Sequence, residues 1–457
     1  MFATSTTSVL CDQYLDRLAF GWQRRQGEVL SHVLDFAALN IQDNILTLSA
    51  QALSEMNETA GQLIQRKLQD PLMAGEFFAL TWYALQQGSK SLQNACIGLV
   101  QAVPTLRAAY AAALEWASPQ QVWVTLELWS NAKKSNHEQT VALSDTFTLL
   151  AAIAHPVLFE QLCGSPRWQN IAQHHDASLL TRIAVMECAQ FVSDHQSLER
   201  AAAAGLQAQN STLQRLAAQA ILYRPWQSRT NLQGQALHVL QTQALSDHPL
   251  AKESLLALAC WHFFGWEEIM PKLAQQESQR SLYLQALGWR GNVTSVEELI
   301  EYLDHPEHAR IAGAALSMLT GSLPAHDSWL HKPDDDKPTA QKKAYPNANS
   351  DVDDANIPAA KQHADLPQPD KAAFKRWWAT HAQRFSASKS FLGGLPETPE
   401  NLYTTLRTGK QAWREVAALK LQARQHGPRL QTTAPSKIQL QWLATHSPQG
   451  VIRERTA

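Results

Sequence analysis

Ser295-Val-Glu-Glu298-Leu-Ile-Glu-Tyr-Leu-Asp-His-Pro306-Glu-His-Ala-Arg310-Ile-Ala-Gly-Ala-Ala-Leu316-Ser-Met-Leu-Thr-Gly321 decides the fold. Ser295 and Glu298 have the spacing of a capping box at a helix start. Val296, Leu299, Ile300 and Tyr302/Leu303 then lay an apolar stripe at helical spacing. Pro306 cannot continue a helix, so Asp304-His-Pro306-Glu is a turn. The second helix carries two stripes, Ile311, Ala315, Met318 and Ala312, Leu316, Leu319, a broad face of small and medium residues. Gly321 supplies a left-handed C-terminal stop. One such hairpin cannot bury its own face; stacked hairpins can.

Working outward, the motif of a cation opening an Ala/Leu-rich helix recurs at Arg182, Arg215, Lys252, Arg280 and Arg310, at spacings of 33, 37, 28 and 30 residues. A drifting period of two helices per unit predicts an all-α, HEAT-like α-solenoid. The array is expected over 131–325, and residues 119–177, broken at Pro119, Pro156 and Pro166, read as degenerate repeats leading into the regular ones. Residues 1–130 read as helices without a clear repeat. They include one from Val9 to about Gln26, one or two between Val33 and Ala60, and a strongly apolar one carrying Phe77, Phe78, Leu80, Trp82, Tyr83 and Leu85. Pro104 turns a further hairpin, and the aromatics of this region are expected in the core.

Residues 326–370 differ. Between His331 and Asp370 there are six Pro, eight Asp, five Lys and no Glu. Only Tyr345, Val352, Ile357 and Leu366 have apolar side chains able to pack, so this is expected to be a disordered acidic linker. Residues 371–457 form a small basic helical module, with 14 Lys/Arg against four Glu. Its first helix carries Phe374, Trp377 and Trp378. A Gly393-Gly394-Leu395-Pro396 turn follows, and Pro399 sits at the first position of another helix.

The whole chain has 457 residues and a formal charge of −2, but the tail alone carries +10 and the remainder −12. Net charge thus names no partner, while the asymmetry leaves docking of the tail on the body as one option. Five scattered cysteines fit a reducing compartment. The start lacks a signal-peptide pattern, and no stretch is apolar enough to span a membrane.

The tail motifs Leu366-Pro367-x-Pro369-Asp370, Trp377-Trp378, Arg384-Phe385, Leu392-Gly393-x-Leu395-Pro396-x-Thr398-Pro399 and Leu406-Arg407-Thr408-Gly409-Lys410-Gln411 accompany Ala309–Gly321 and, near the start, Ala19-Phe-Gly-Trp22-Gln-Arg24-Arg25. With these the chain resembles the HEAT-like repeat proteins encoded beside bacterial type VI secretion systems. It departs from that family where a charged helix is replaced by Phe36-Ala-Ala-Leu-Asn-Ile-Gln-Asp-Asn-Ile-Leu-Thr. The resemblance implies cytoplasmic residence and an accessory role, with a secretion effector or machine component as partner. It implies no activity.

The residues themselves carry no nucleophile elbow, phosphate loop or dinucleotide fingerprint. His174-His175-Asp176 and the His305/His308 pair read as surface polar groups, and Cys260-Trp261-His262 as core. No enzyme activity, metal or cofactor is expected; a HEAT-like lyase is the remotest alternative. The candidate partner contacts are Arg182, Arg215, Lys252, Arg280 and Arg310, with Trp377, Trp378 and Arg407 of the tail. Lys375, Arg376 and Arg384 beside the Trp pair keep open a second reading, nucleic-acid binding through the tail.

Overall fold

In a computed structural model of the chain, described residues are 6–132, 138–155, 158, 177–192, 196–224, 229–261, 265–330, 363 and 365–447. The fold is all-α and repeat-like. Its helices are α1 (Thr6–Glu28), α2 (Phe36–Glu55), α3 (Asn57–Lys67), α4 (Ala74–Gln86), α5 (Lys90–Ala102), α6 (Arg107–Trp116), α7 (Pro119–Ala132) and α8 (Glu138–Ala154). They continue as α9 (Leu179–Phe191), α10 (Gln196–Leu206), α11 (Ser211–Tyr223), α12 (Arg229–Ala244), α13 (Ala251–Cys260), α14 (Trp266–Gln275) and α15 (Arg280–Arg290). The last are α16 (Val296–Glu301), α17 (Ala309–Thr320), α18 (Lys371–His381), α19 (Pro399–Thr408), α20 (Gln411–Gln425) and α21 (Ser436–His446). A short antiparallel hairpin of β1 (Phe391–Leu392) and β2 (Leu395–Pro396) precedes α19.

Many helices start on a side chain that accepts from an unpaired backbone N–H of the first turn. Asp35 accepts from Ala38, Ser178 from Thr181, Asn210 from Leu213 and Asp370 from Ala373. The capping box expected at Ser295 and Glu298 does not form. A 3-10 turn at Val293–Ser295 precedes the helix and Asn292 caps it, accepting from the Thr294 N–H. Glu298 instead accepts from the Tyr283 hydroxyl, tying α16 to α15.

The chain divides into two compact units, Met1–Leu240 with Leu406–Ala457, and Gln241–Thr405. In the first unit α4 is buried almost all round, from Phe77 to Leu85, as a helix with apolar residues on every face must be. It packs on α1, and α6, α8, α9 and α11 then follow in a row, each against the next. Small residues such as Ala109, Ala113, Ala151, Ala184 and Ala217 let these backbones approach closely. Trp22 stacks on Phe78 at 5.0 Å, and the Trp129 indole donates to the buried Tyr110 hydroxyl at 2.9 Å. Neighbour-on-neighbour packing therefore begins well inside residues 1–130, where the sequence shows no clear period.

In the second unit α13, α15 and α17 form the equivalent row, flanked by α14 and α16. The hairpin closes it: the Phe391 N–H donates to the Gly291 carbonyl, and those of Gly393 and Gly394 to the carbonyls of Met318 and Leu319. Gly321 has φ +73, and a Cβ there would stand 2.4 Å from the Gly393 carbonyl oxygen.

Two expectations are corrected. The region 326–370 is not linker throughout, because Trp329 and Leu366 are buried; Trp329 packs edge-on against Phe374 at 4.9 Å, and its carbonyl accepts from Asp370. Residues 331–362, the bulk of the expected linker, lie outside the described residues, as do Cys163, His174-His175-Asp176 and His262. Nor are residues 371–457 one module: through Thr405 they belong to the second unit, and from Leu406 to the first. Each part has its own apolar anchors, Phe374 and Phe391 in one, Trp413, Val416, Leu419 and Leu443 in the other.

Candidate functional site

An α-helix ends with up to four carbonyls that lack partners within it, at the negative end of its dipole. In the first unit such ends are met by a single later stretch of chain, residues 422–436. The Tyr223 carbonyl at the end of α11 contacts the His426 ring at 3.3 Å. The Gln190 carbonyl in the last turn of α9 accepts from the Gln422 side chain at 2.8 Å and from the Arg429 N–H at 3.1 Å. The Arg429 guanidinium lies over the Phe191 ring, 4.5 Å from its centre. Gln431 donates to Glu115, in the last turn of α6, at 3.1 Å. Arg25, in the last turn of α1, donates to the carbonyls of Thr433 and Ala434 at 2.8 and 2.7 Å. The segment thus crosses α11, α9, α6 and α1 in reverse chain order, as a strap over their C-terminal ends.

The strap is anchored by buried charge. Arg25 and Asp43 form a two-pronged pair at 2.6 and 3.1 Å, both almost inaccessible to solvent. Asp43 also accepts from the Ser436 N–H at 2.7 Å, at the start of α21. Arg414 of α20 is fully buried over the Phe36 ring and donates to the Leu406 carbonyl, Gln411 and Gln439. Gln439 in turn donates to the carbonyls of Thr432 and Ala434. Burial pulls the Arg414 guanidinium downward, the charge of Arg25 adds to this, and Asp43 opposes it.

Two carboxyls stand beside the strap with displaced titration. Glu115 is pushed up to about 7 by burial; its bond from Gln431 and the charge of Arg25 pull the other way, and Glu187 adds to the rise. Glu187 is itself raised by burial, against the pull of Arg215. Displaced carboxyls in a cleft often mark catalysis. Here burial raises both, with Gln431 and Arg25 opposing it at Glu115 and Arg215 at Glu187.

The residues singled out in sequence have mixed fates. Arg182 is half-buried; Arg215 is half-buried beside Glu187 and reaches Gln219 at 3.3 Å. Lys252 is exposed. Arg280 donates to the Tyr302 hydroxyl at 2.6 Å and pairs with Glu277 at 3.5 Å, and Arg310 donates to the Leu366 carbonyl. Arg280 and Arg310 therefore hold their own unit together. Trp378 donates to Glu297 at 3.1 Å, Trp377 stacks on His381 at 4.4 Å, and Arg407 is half-buried in α19.

One group brings metal-ligand atoms together among the described residues: Glu277, Glu307 and His308, within 4.8 Å of one another. His308 bonds Glu277 at 3.1 Å, while the Arg280 guanidinium holds the other oxygen of that carboxylate. The cation that balances Glu277 is thus already present, as a clasp between α17 and the turn before α15.

Sequence reading missed Arg25, Asp43 and Arg414 as a set. The available signal was Asp43 itself, a lone charge on the apolar line Leu39, Asp43, Leu46, Ala50 and Leu53 of α2.

No family model, curated protein or solved structure matches the chain.

Proposed function

We propose that the protein is a non-catalytic protein-binding scaffold built on a HEAT-like solenoid. In the setting its tail motifs imply, it is an accessory of type VI secretion, an adaptor for an effector or an immunity-type binder. The observation that carries this reading is the row of helices packed neighbour on neighbour in each unit. Such an array places its solvent-facing side chains along an extended surface, and among the described residues the displaced carboxyls Glu115 and Glu187 sit against the chain's own groups. The end crossed by the strap is occupied by the chain itself, so the partner is assigned to other faces. Among these, α7 offers the exposed indole of Trp123 and the start of α9 offers Leu179 and Leu180. Exposed aromatic anchors are common hot spots.

Three tail lysines favour this reading over nucleic acid, while Arg376 and Arg384 stay exposed. Lys371 pairs with Glu301 and Asp304 at 3.0 and 2.9 Å, Lys375 with Glu301 at 3.4 Å, and Lys410 with Asp35 at 3.7 Å. These cations are engaged within the chain rather than held out for phosphates.

The test is capture of the tagged chain from its native cell at two salt concentrations. A stoichiometric effector or secretion component retained at the higher salt, and lost from a Trp123→Ala or Leu180→Asp variant, is the expected result. Nucleic acid as the sole companion, released by salt as counterion exchange requires, overturns the reading. Adaptor and immunity roles separate on deletion, the first abolishing export of one effector, the second making the cell sensitive to its siblings.

A further inference from the structure

Helix α2 has two apolar seams. One, Leu39, Leu46, Ala50 and Leu53 with Asp43, faces the core. The other is Ala38, Ile41, Ile45, Leu48 and Ala52, at alternating spacings of three and four residues, the seam spacing of paired helices. In this second seam Ile41 is 61% exposed, Ile45 47% and Leu48 63%, while Ala38 and Ala52 are half-buried. Three large aliphatic side chains in one line on solvent form a face that soluble proteins normally cover.

We propose that this face is covered by a second copy of the chain, in a two-fold dimer that pairs α2 with α2 antiparallel. Two features select that occupant. First, the seam is palindromic in size: Ala, Ile, Ile, Leu, Ala. An axis through Ile45 sets Ile45 against its own copy, Ile41 beside the copy's Leu48, and Ala38 beside Ala52, with small residues at both ends where crossing helices must clear each other. A two-fold interface needs this kind of self-complementarity, because each residue meets its mirror position. Second, the solvent side of α2 from Ala37 to Ala52 carries no charge; the residues flanking the seam are Asn40, Gln42, Asn44, Thr47 and Gln51. Any charge there would face its like across the axis, and none does. The chain's own segment 331–362 is a poor match: its larger apolar residues are Tyr345, Val352 and Ile357, scattered among Asp, Lys and Pro.

The face is extended by Leu440, 47% exposed on α21, which packs beside α2, and by Val33, 48% exposed just before it. Five large side chains make up this patch, so the contact lies at the small end of specific interfaces. Dimerisation in the micromolar range is the corresponding strength.

Sedimentation velocity of the full chain across roughly 1–100 μM tests this. The expected result is a concentration-dependent monomer–dimer equilibrium whose dissociation constant rises about a hundredfold or more in Ile45→Glu, since each copy then brings an unpaired carboxylate to the axis. Leu48→Lys acts likewise, and an unchanged circular dichroism melt shows that the solvent-facing change leaves the fold intact. Ile45→Cys supplies an independent readout, an intermolecular disulfide absent from the parent chain, because the two sulfurs meet on the axis. A monomer throughout the range, a dimer indifferent to Ile45→Glu, or an Ile45→Cys variant that fails to cross-link overturns the proposal. A monomer that loses a different protein partner on Ile45→Glu also overturns it, and assigns the face to that partner.

Discussion

Asp43→Ala is the perturbation that bears most directly on the strap. The carboxylate accepts two bonds from Arg25 and one from the Ser436 N–H. Removing it leaves the Arg25 charge in a site with 2% exposure, held by the Thr433 and Ala434 carbonyls and the Trp116 ring, and strands a buried N–H at the start of α21. Breaking a buried pair from one side costs about 3–5 kcal/mol. Against a total stability of about 5–15 kcal/mol this is a large fraction. At roughly 2–4 °C per kcal/mol for a unit of this size, the first unit should melt about 6–20 °C lower. Scanning calorimetry measures that fall, and brief trypsin treatment below the melt should cut after Arg424 and Arg429 once the strap loosens. The double change Arg25→Met with Asp43→Leu removes both charges and should recover much of the loss, because the cost lies in the unpaired charge. A single variant that melts within about 1 °C of the parent and gains no cleavage, or a double variant worse than the single, would refute the account.

Glu115→Gln should change the response to pH. The folded carboxyl titrates near 7, above its ordinary value of 4.5, so its contribution is full below about pH 4.5 and is lost as pH rises through 7. Melts from pH 4 to 8 should show the parent falling behind the Gln variant by on the order of 3 kcal/mol, the gap opening above about pH 4.5 and levelling off above pH 7. Gly321→Ala should cost the second unit at least about 2 kcal/mol in urea unfolding, because L-residues resist φ +73 and the new Cβ collides with the Gly393 carbonyl. Trp329→Ala should cost about 3–5 kcal/mol in the same assay and weaken the hold on α18, since the indole is fully buried against Phe374 and donates to Ser322 at 2.7 Å.

The helical hairpins from Leu179 to Gly321 were legible because caps, breaks and stripes agree there. Ser178, Asn210 and Gly321 sit at helix ends as their chemistry requires. The expected cap at Ser295 failed because a neighbour, Tyr283, takes the Glu298 carboxylate, and no local pattern reveals a neighbour. Trp329 was absorbed into an expected linker because the Pro and Asp content around it outweighed one indole. The split of the tail was invisible for a related reason: α18 and α20 have similar composition, and only the side chains they meet tell them apart. The strap was the least legible feature. Most of its contacts engage backbone carbonyls, of α9 and α11 or of the strap itself, which every residue carries and no sequence pattern marks.

The insertion of the second unit between α12 and α19 has a consequence for how the protein is made. At 5–20 residues per second, about 10–40 s separate the synthesis of Tyr223 from that of Ser436. Throughout that interval Gln241–Thr405 can complete itself, while the first unit waits with Arg25 and Asp43 paired but not yet joined to the strap. A chain that stops before Thr433 therefore carries the inserted unit but leaves Arg25 and Asp43 without the Thr433, Ala434 and Ser436 partners that complete their site.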